Sequence, residues 1–116
     1  MEGTLDLTHT DYPGLRVIHV AAGRIDSAAA IQFKDQMREL THDLDYRSVL
    51  DLRNVKFIDS SGLGAIVASM KQMPSGIRLD LADLQSDVAR VLRLTRMDKV
   101  FVIHEALDTA VAPNGI

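Results

Sequence analysis

Apolar positions along the chain fall into short β-like runs separated by stripes at helical spacing. Leu5 to His9 alternates weakly, as an edge strand does. Thr10-Asp11-Tyr12-Pro13-Gly14 reads as a turn, with Pro-Gly its strongest signal. Leu15 to Ala22 (LRVIHVAA) is β-rich and of strand length, so a hairpin pairs it with the first run. Gly23-Arg24-Ile25-Asp26-Ser27 closes that strand and opens a helix that Asp26 or Ser27 can cap. Ala30, Phe33, Met37, Leu40 and Leu44 then recur at spacings of three and four on one helix face. Lys34, Asp35, Arg38 and Glu39 lie mostly off that face, as solvated residues should, and the Phe/Met stripe reads as core.

Arg47 to Leu52 is a denser run, with Val49, Leu50 and Leu52 apolar, and predicts a strand covered on both faces as in a mainly parallel sheet. After it comes Val55-Lys56-Phe57-Ile58-Asp59-Ser60-Ser61-Gly62-Leu63-Gly64, the stretch around which the chain is organised. A helix begins there, with Leu63, Ile66, Val67 and Met70 as its apolar face, and runs to about Met73 before Pro74-Ser75-Gly76 ends it. Gly62 and Gly64 are poor helix formers, so they mark either a close backbone approach or a plain loop-to-helix junction. Ile77 to Ala82 (IRLDLA) alternates as a strand. Asp83 to Thr95 is a third helix, with Ser86 a cap and Val88, Val91, Leu92 and Thr95 on its buried side. Met97-Asp98-Lys99 connects to a last strand over Val100 to Ile103, a terminal helix runs from Glu105 to about Val111, and Pro113-Asn114-Gly115 ends the order.

The order β-β-α-β-α-β-α-β-α predicts an α/β fold in one domain over residues 1–116. Its sheet has five strands, mixed but largely parallel, with about four helices on one or both faces. The ordered core is expected over about residues 5–111, with a C-terminal tail at 112–116.

Composition narrows the function. The net charge of −3 gives no electrostatic footprint for nucleic acid, and aromatic residues are only 4%, too few for a base-stacking platform. Without cysteine there is no disulfide framework, thiol nucleophile or thiolate metal site, which fits a cytoplasmic location. No apolar run approaches the roughly 18–20 residues that span a bilayer, and Met1 to Asp6 lacks the apolar segment of a signal peptide, so no membrane partner is expected. His9, His19, His42 and His104 are scattered over separate elements without metal-ligand spacing, and Asp43 and Asp45 lack a calcium-loop pattern. No metal or other cofactor is therefore expected.

The catalytic motifs each lack a required part. A nucleophile elbow needs G-x-S-x-G, but Ile58 stands two before Ser60. Gly62-x-Gly64 lacks the third glycine of a dinucleotide loop, Val67 taking its place. An enzyme is not expected. What the central stretch does offer is a hydroxyl at a helix start, where unpaired N–H groups and the helix dipole favour negative charge. Asp59, Ser60 and Ser61 are there either as a cap alone or, for Ser60, as a phosphorylation switch on a binding surface.

Three blocks carry a family resemblance: Gly23 to Asp26, Phe57 to Gly64, and Val91 to Phe101. With these the chain resembles the STAS-domain anti-sigma factor antagonists of bacterial partner switching, over nearly its whole length. The resemblance implies the STAS fold. It implies that the unphosphorylated protein binds an anti-sigma factor that is also a serine kinase, and so frees a sigma factor. It implies that ATP-dependent phosphorylation of Ser60 ends that binding and that a PP2C-type phosphatase reverses it. By the same resemblance Ser61 matches the second, non-acceptor position, and Asp59 serves loop geometry or acceptor positioning. Asp59, Ser61, Gly62 and Leu63, with Gly23, Arg24, Ile25 and Asp26 of the neighbouring loop, are the expected partner-binding residues. The competing readings are a non-switching STAS scaffold subunit of a stressosome or lipid-transport complex, disfavoured by the complete Asp-Ser-Ser-Gly, and a small-ligand binder, for which no phosphate loop exists.

Overall fold

Two tetrapeptides, Ser48–Asp51 and Leu79–Ala82, lose every side chain to the interior, and the sheet is built outward from them. The computed structural model describes residues 5–111; the expected tail at 112–116 lies outside the described residues. The strands of the main sheet are β1 (Leu7–Tyr12), β2 (Leu15–Val20), β4 (Ser48–Asp51), β6 (Leu79–Ala82) and β7 (Ile103–His104), in spatial order β1-β2-β4-β6-β7. Only β1 and β2 pair antiparallel; β2-β4, β4-β6 and β6-β7 are parallel. The expected mixed, largely parallel five-stranded sheet is what forms, with helices α1 (Ala30–Thr41), α2 (Ser60–Lys71), α3 (Ser86–Leu94) and α4 (Leu107–Ala110).

The helices divide between the two faces. Phe33 and Met37 of α1, Ala65 and Ile66 of α2, and Val88 and Leu92 of α3 pack with Ile18, Val20, Leu50, Leu79 and Leu81 in the larger core. The alternate residues of the same strands, Leu15, Val17, Val49 and Ala82, pack against Leu107 and Ala110 of α4 alone. Successive strand residues point to opposite faces, so a strand between two helix layers is apolar at nearly every position.

Several boundaries differ from the expectation. β1 continues through Thr10 and Asp11 to Tyr12, and only Pro13-Gly14 turns, because Tyr12 pairs directly with Leu15. Gly14 takes φ +72°, the left-handed corner a Pro-Gly hairpin demands. The third helix begins at Ser86 rather than Asp83, with Gln85 at the N-cap, so Ser86 is not the cap. Asp83 instead lies at φ 61°, and its carboxylate accepts from the Leu107 amide at 3.1 Å. The last strand is Ile103–His104 rather than Val100 to Ile103. Arg96 closes α3 at φ 65° and a 3-10 turn follows over Met97–Lys99. The amides of Val100 and Phe101 both donate to the Met97 carbonyl, which turns Phe101 into the core and leaves Val100 and Val102 exposed. Two short strands were not expected, β3 (Arg24–Ile25) and β5 (Phe57–Ile58), which pair in parallel as a separate ladder.

Asp80 is fully buried on the α4 side of the sheet. Its carboxylate accepts from Arg78 Nε at 2.6 Å, Arg78 Nη2 at 3.0 Å and Arg47 Nη1 at 3.3 Å, and meets His104 Nε2 at 2.9 Å. Arg47 also donates to the Ala110 carbonyl at 2.9 Å, which fastens α4 to the sheet. Among the described residues no buried side-chain nitrogen or oxygen lacks a partner. Removing one partner of such a buried set strands the others. Asp80→Ala is expected to lower unfolding free energy by about 3 kcal/mol, measured by urea denaturation; a midpoint equal to wild type would show that Arg47 and Arg78 simply turn to solvent.

Candidate functional site

The β3-β5 ladder sets the site. Arg24 pairs with Phe57 and Ile25 with Ile58. The Lys56 amide donates to the Gly23 carbonyl at 2.8 Å and the Asp59 amide to that of Ile25 at 3.4 Å. The two segments expected to border one surface, Gly23 to Asp26 and Asp59 to Leu63, are thus adjacent strands' ends.

Asp59 is extended at φ −108° and is the N-cap of α2; its Oδ1 accepts from the Gly62 amide at 2.8 Å. Its Oδ2 accepts from the Ser27 amide at 3.2 Å. One carboxylate therefore satisfies a donor at the head of α2 and another in the neighbouring loop. The cap is Asp59 and not a serine: Ser60 is the first helical residue, and Ser60 and Ser61 are both exposed. Among the described residues neither hydroxyl hydrogen-bonds another side chain or backbone group, and the acceptors nearby are already engaged by Gly62, Leu63 and Ser27.

Gly62 shows which of the two glycine readings applies. A Cβ there would overlap the backbone carbonyl of Ile25, so the two chains approach at a distance only a glycine permits. Gly64 has open space where a Cβ would stand and is a plain helix residue. Ile25 and Gly62 are both buried, Leu63 is half-buried, and they hold the loop against α2 from beneath. Arg24 is exposed. Its Nε donates to Asp26 Oδ2 at 3.1 Å and its guanidinium lies 4.5 Å from the centroid of the Phe57 ring. The Arg24 hydrogen bond, aided by the Ala29 amide against a desolvation penalty, holds the Asp26 carboxyl below its ordinary range. Asp26 also closes the turn before α1, accepting from the Ala29 amide at 3.2 Å through its side chain. It does not cap the helix itself, whose N-cap is Ala29.

Ser27 lay in the loop expected to border the surface and Phe57 in the block that resembles the phosphorylation loop, but neither was singled out as a partner-binding residue. Ser27 contributes an amide, which no side-chain pattern reveals. Phe57 is 42% exposed and flanked by exposed Lys56 and buried Ile58; a large aromatic on the outward side of a strand was the available signal. Among the described residues no group of three or more His, Asp or Glu is placed to hold a metal ion, and no helix is long and apolar enough to cross a membrane.

A model of the STAS domain family matches residues 6–110, and the chain belongs to that family. It is 25% identical over 107 residues to the anti-sigma-F factor antagonist RsfB of Mycobacterium tuberculosis, covering 92% of this chain and 87% of RsfB. A crystal structure of an anti-sigma factor antagonist from Mycobacterium paratuberculosis superimposes with a TM-score of 0.84 at 24% identity, over 96% of this chain and 94% of that one. An anti-sigma-factor antagonist (STAS) domain protein from Planctomyces limnophilus gives 0.81 at 18% identity, over 90% and 93%. The structural likenesses establish the fold.

Substitutions at two glycines, one on either side of Leu63, test the close approach. Gly62→Ala must push apart two backbone segments and is expected to cost about 3 kcal/mol, the upper range for overpacking. Gly64→Ala fills empty space in a helix and is expected to stabilise by about 1 kcal/mol. Chemical denaturation of both variants checks the pair, and equal effects would show that Gly62 is not sterically required.

Proposed function

We propose that this protein is a cytoplasmic anti-sigma factor antagonist that acts by partner switching, with Ser60 as its switch. The observation that carries the reading is the placement of Ser60: an exposed, unengaged hydroxyl on the first residue of α2, directly after the Asp59 cap. The names of the relatives support the partner class. In this reading the unphosphorylated chain binds an anti-sigma factor with serine kinase activity through the head of α2 and the Gly23 to Asp26 loop, and so frees a sigma factor. The kinase transfers the γ-phosphoryl group of ATP to Ser60 Oγ, ADP leaves, and the hydroxyl proton passes to solvent or a kinase base. A PP2C-type phosphatase restores the hydroxyl by hydrolysis. The chain is a substrate and a binding partner, not a catalyst.

Phosphorylation adds a charge of about −1.5 to −2 at neutral pH. A helix N-terminus accepts an anion, so the domain stays folded. At a surface packed around a small neutral hydroxyl the same group is bulky, strongly hydrated and next to the Asp59 carboxylate. A loss of about 2.7 kcal/mol corresponds to a hundredfold in affinity.

The test uses purified kinase-type anti-sigma factors from the source organism, with ATP, on wild type and Ser60→Ala. Intact mass and site mapping are expected to find one phosphate, on Ser60, in wild type only. The phosphorylated form is expected to bind the kinase about a hundredfold more weakly, by calorimetry. Arg24→Ala and Asp26→Ala are expected to weaken binding of the unphosphorylated form by about tenfold; unchanged affinity would remove that loop from the interface. If no kinase that is active on another substrate modifies the chain, Ser60 is only the first residue of a helix and a scaffold role replaces the switch.

A further inference from the structure

We infer that the partner-contacting surface continues from the Ser60 loop into a groove between β5 and α3, and that this groove takes an apolar side chain bordered by a carboxylate on the anti-sigma partner. The inference rests on the function proposed above and extends it to a specificity-determining contact. The groove holds about 260 Å3 and is lined by Phe57, Ile58, Asp87, Arg90 and Val91. Phe57 and Ile58 are β5 itself, the two residues immediately before the Asp59 cap, so the groove and Ser60 are built on one continuous segment. Ile58 is 3% exposed and packed in the core, whereas Phe57 is 42% exposed and Val91 half-buried, which leaves apolar surface facing the opening.

The charges around that opening set the complementary chemistry. Arg24 lies over the Phe57 ring and is shared with Asp26. Arg90 is exposed and forms no salt bridge among the described residues. Asp87 stands in the first turn of α3, where the helix dipole stabilises its charge. The cation available to a partner is therefore Arg90, beside an exposed aromatic ring and a valine. Aromatic and arginine side chains around an apolar pocket are the usual centre of an interface hot spot. The Arg24 contact also favours one face-on arrangement of the Phe57 ring before binding, which lowers the ordering cost of association. On the function proposed above, continuity with the Ser60 segment assigns the groove to the anti-sigma partner.

The experiment measures binding of the phosphorylating anti-sigma factor kinase to wild type, Arg90→Glu and Phe57→Ala by calorimetry, and follows Ser60 phosphorylation in the same proteins. Both residues are exposed, and circular dichroism with thermal unfolding checks that the variants fold. Arg38→Glu, an exposed arginine near the other end of α1, is the control for net charge. The expected result is a loss of about tenfold or more in affinity for Arg90→Glu and Phe57→Ala, an equal fall in kcat/KM for Ser60 phosphorylation, and no change for Arg38→Glu. Ser60 phosphorylation with undiminished affinity in both groove variants overturns the groove and leaves the switch intact. Equal loss in Arg38→Glu shows a net-charge effect and also overturns it. Concentration-dependent self-association of wild type, abolished by Arg90→Glu in sedimentation, assigns the groove to a second copy and overturns it. If no kinase binds or phosphorylates the chain, the function proposed above falls and the groove proposal with it.

Discussion

The Asp59 carboxylate is the interaction on which the candidate site depends. It accepts from Gly62 at the head of α2 and from Ser27 in the loop beyond β3. An uncapped helix start leaves several N–H groups without partners, and Ser or Asn at the cap could satisfy one of them equally well. A carboxylate has a second oxygen, and here that oxygen joins two segments 32 residues apart. The Gly62-Ile25 approach completes the clamp from the buried side. With both in place, Ser60 is the first residue of α2 and is exposed.

The clamp can be that specific because what lies beneath it is packed on both faces. β4 and β6 are buried along their whole length, three helices cover one face of the sheet, and α4 covers the central part of the other. Interiors packed at crystal-like density transmit strain instead of absorbing it. The short β3-β5 ladder is the only paired structure between that core and the site among the described residues, and its inward residues, Ile25 and Ile58, belong to the larger core. Their outward neighbours, Arg24 and Phe57, meet each other on the surface. Alternation along two residues is thus enough to anchor a loop on one side and present a charged aromatic pair on the other.

Periodicity made the main architecture legible. Phe33 and Met37 on α1, or Val88 and Leu92 on α3, are buried for the reason their spacing implied. The density of the Arg47 to Leu52 run announced cover on both faces, and β4 within it is buried throughout. The failures have physical causes of the same kind. A two-residue strand such as Arg24–Ile25 is too short to show a period, so β3 and β5 could not be seen. Val100-Phe101-Val102-Ile103 has the composition of a strand, yet a left-handed Arg96 and a 3-10 turn redirect it so that Phe101 is buried, Ile103 packs partly against the core, and Val100 and Val102 are exposed. Backbone conformation chosen by a preceding turn is not written in side-chain hydropathy. At the site, the adjacency of Gly23 to Asp26 and Asp59 to Leu63 was legible because parallel neighbours end on the same side. The Ser27 amide was not, since it contributes no side chain.

On the proposed reading, the position of Ser60 on the first residue of α2 lets a switch work without a second conformation of the domain. An anion in the first turn of a helix is favourable by about 0.3–1 kcal/mol at an exposed site, from the dipole and the N–H groups together. A phosphate there is tolerated by the fold. In a protein–protein interface the balance reverses, because an unpaired charge taken out of water costs several kcal/mol. The two effects act on the same atoms but in different states, one in the free domain and one in the complex. Nearly the whole penalty therefore falls on association. On that reading no core residue has to shift, and the buried Asp80 network and the sheet need not change. On the proposed reading, the rigidity of the Asp59 clamp is what makes this possible: a mobile hydroxyl could carry its phosphate out of the interface, whereas one fixed on the first residue of α2 cannot.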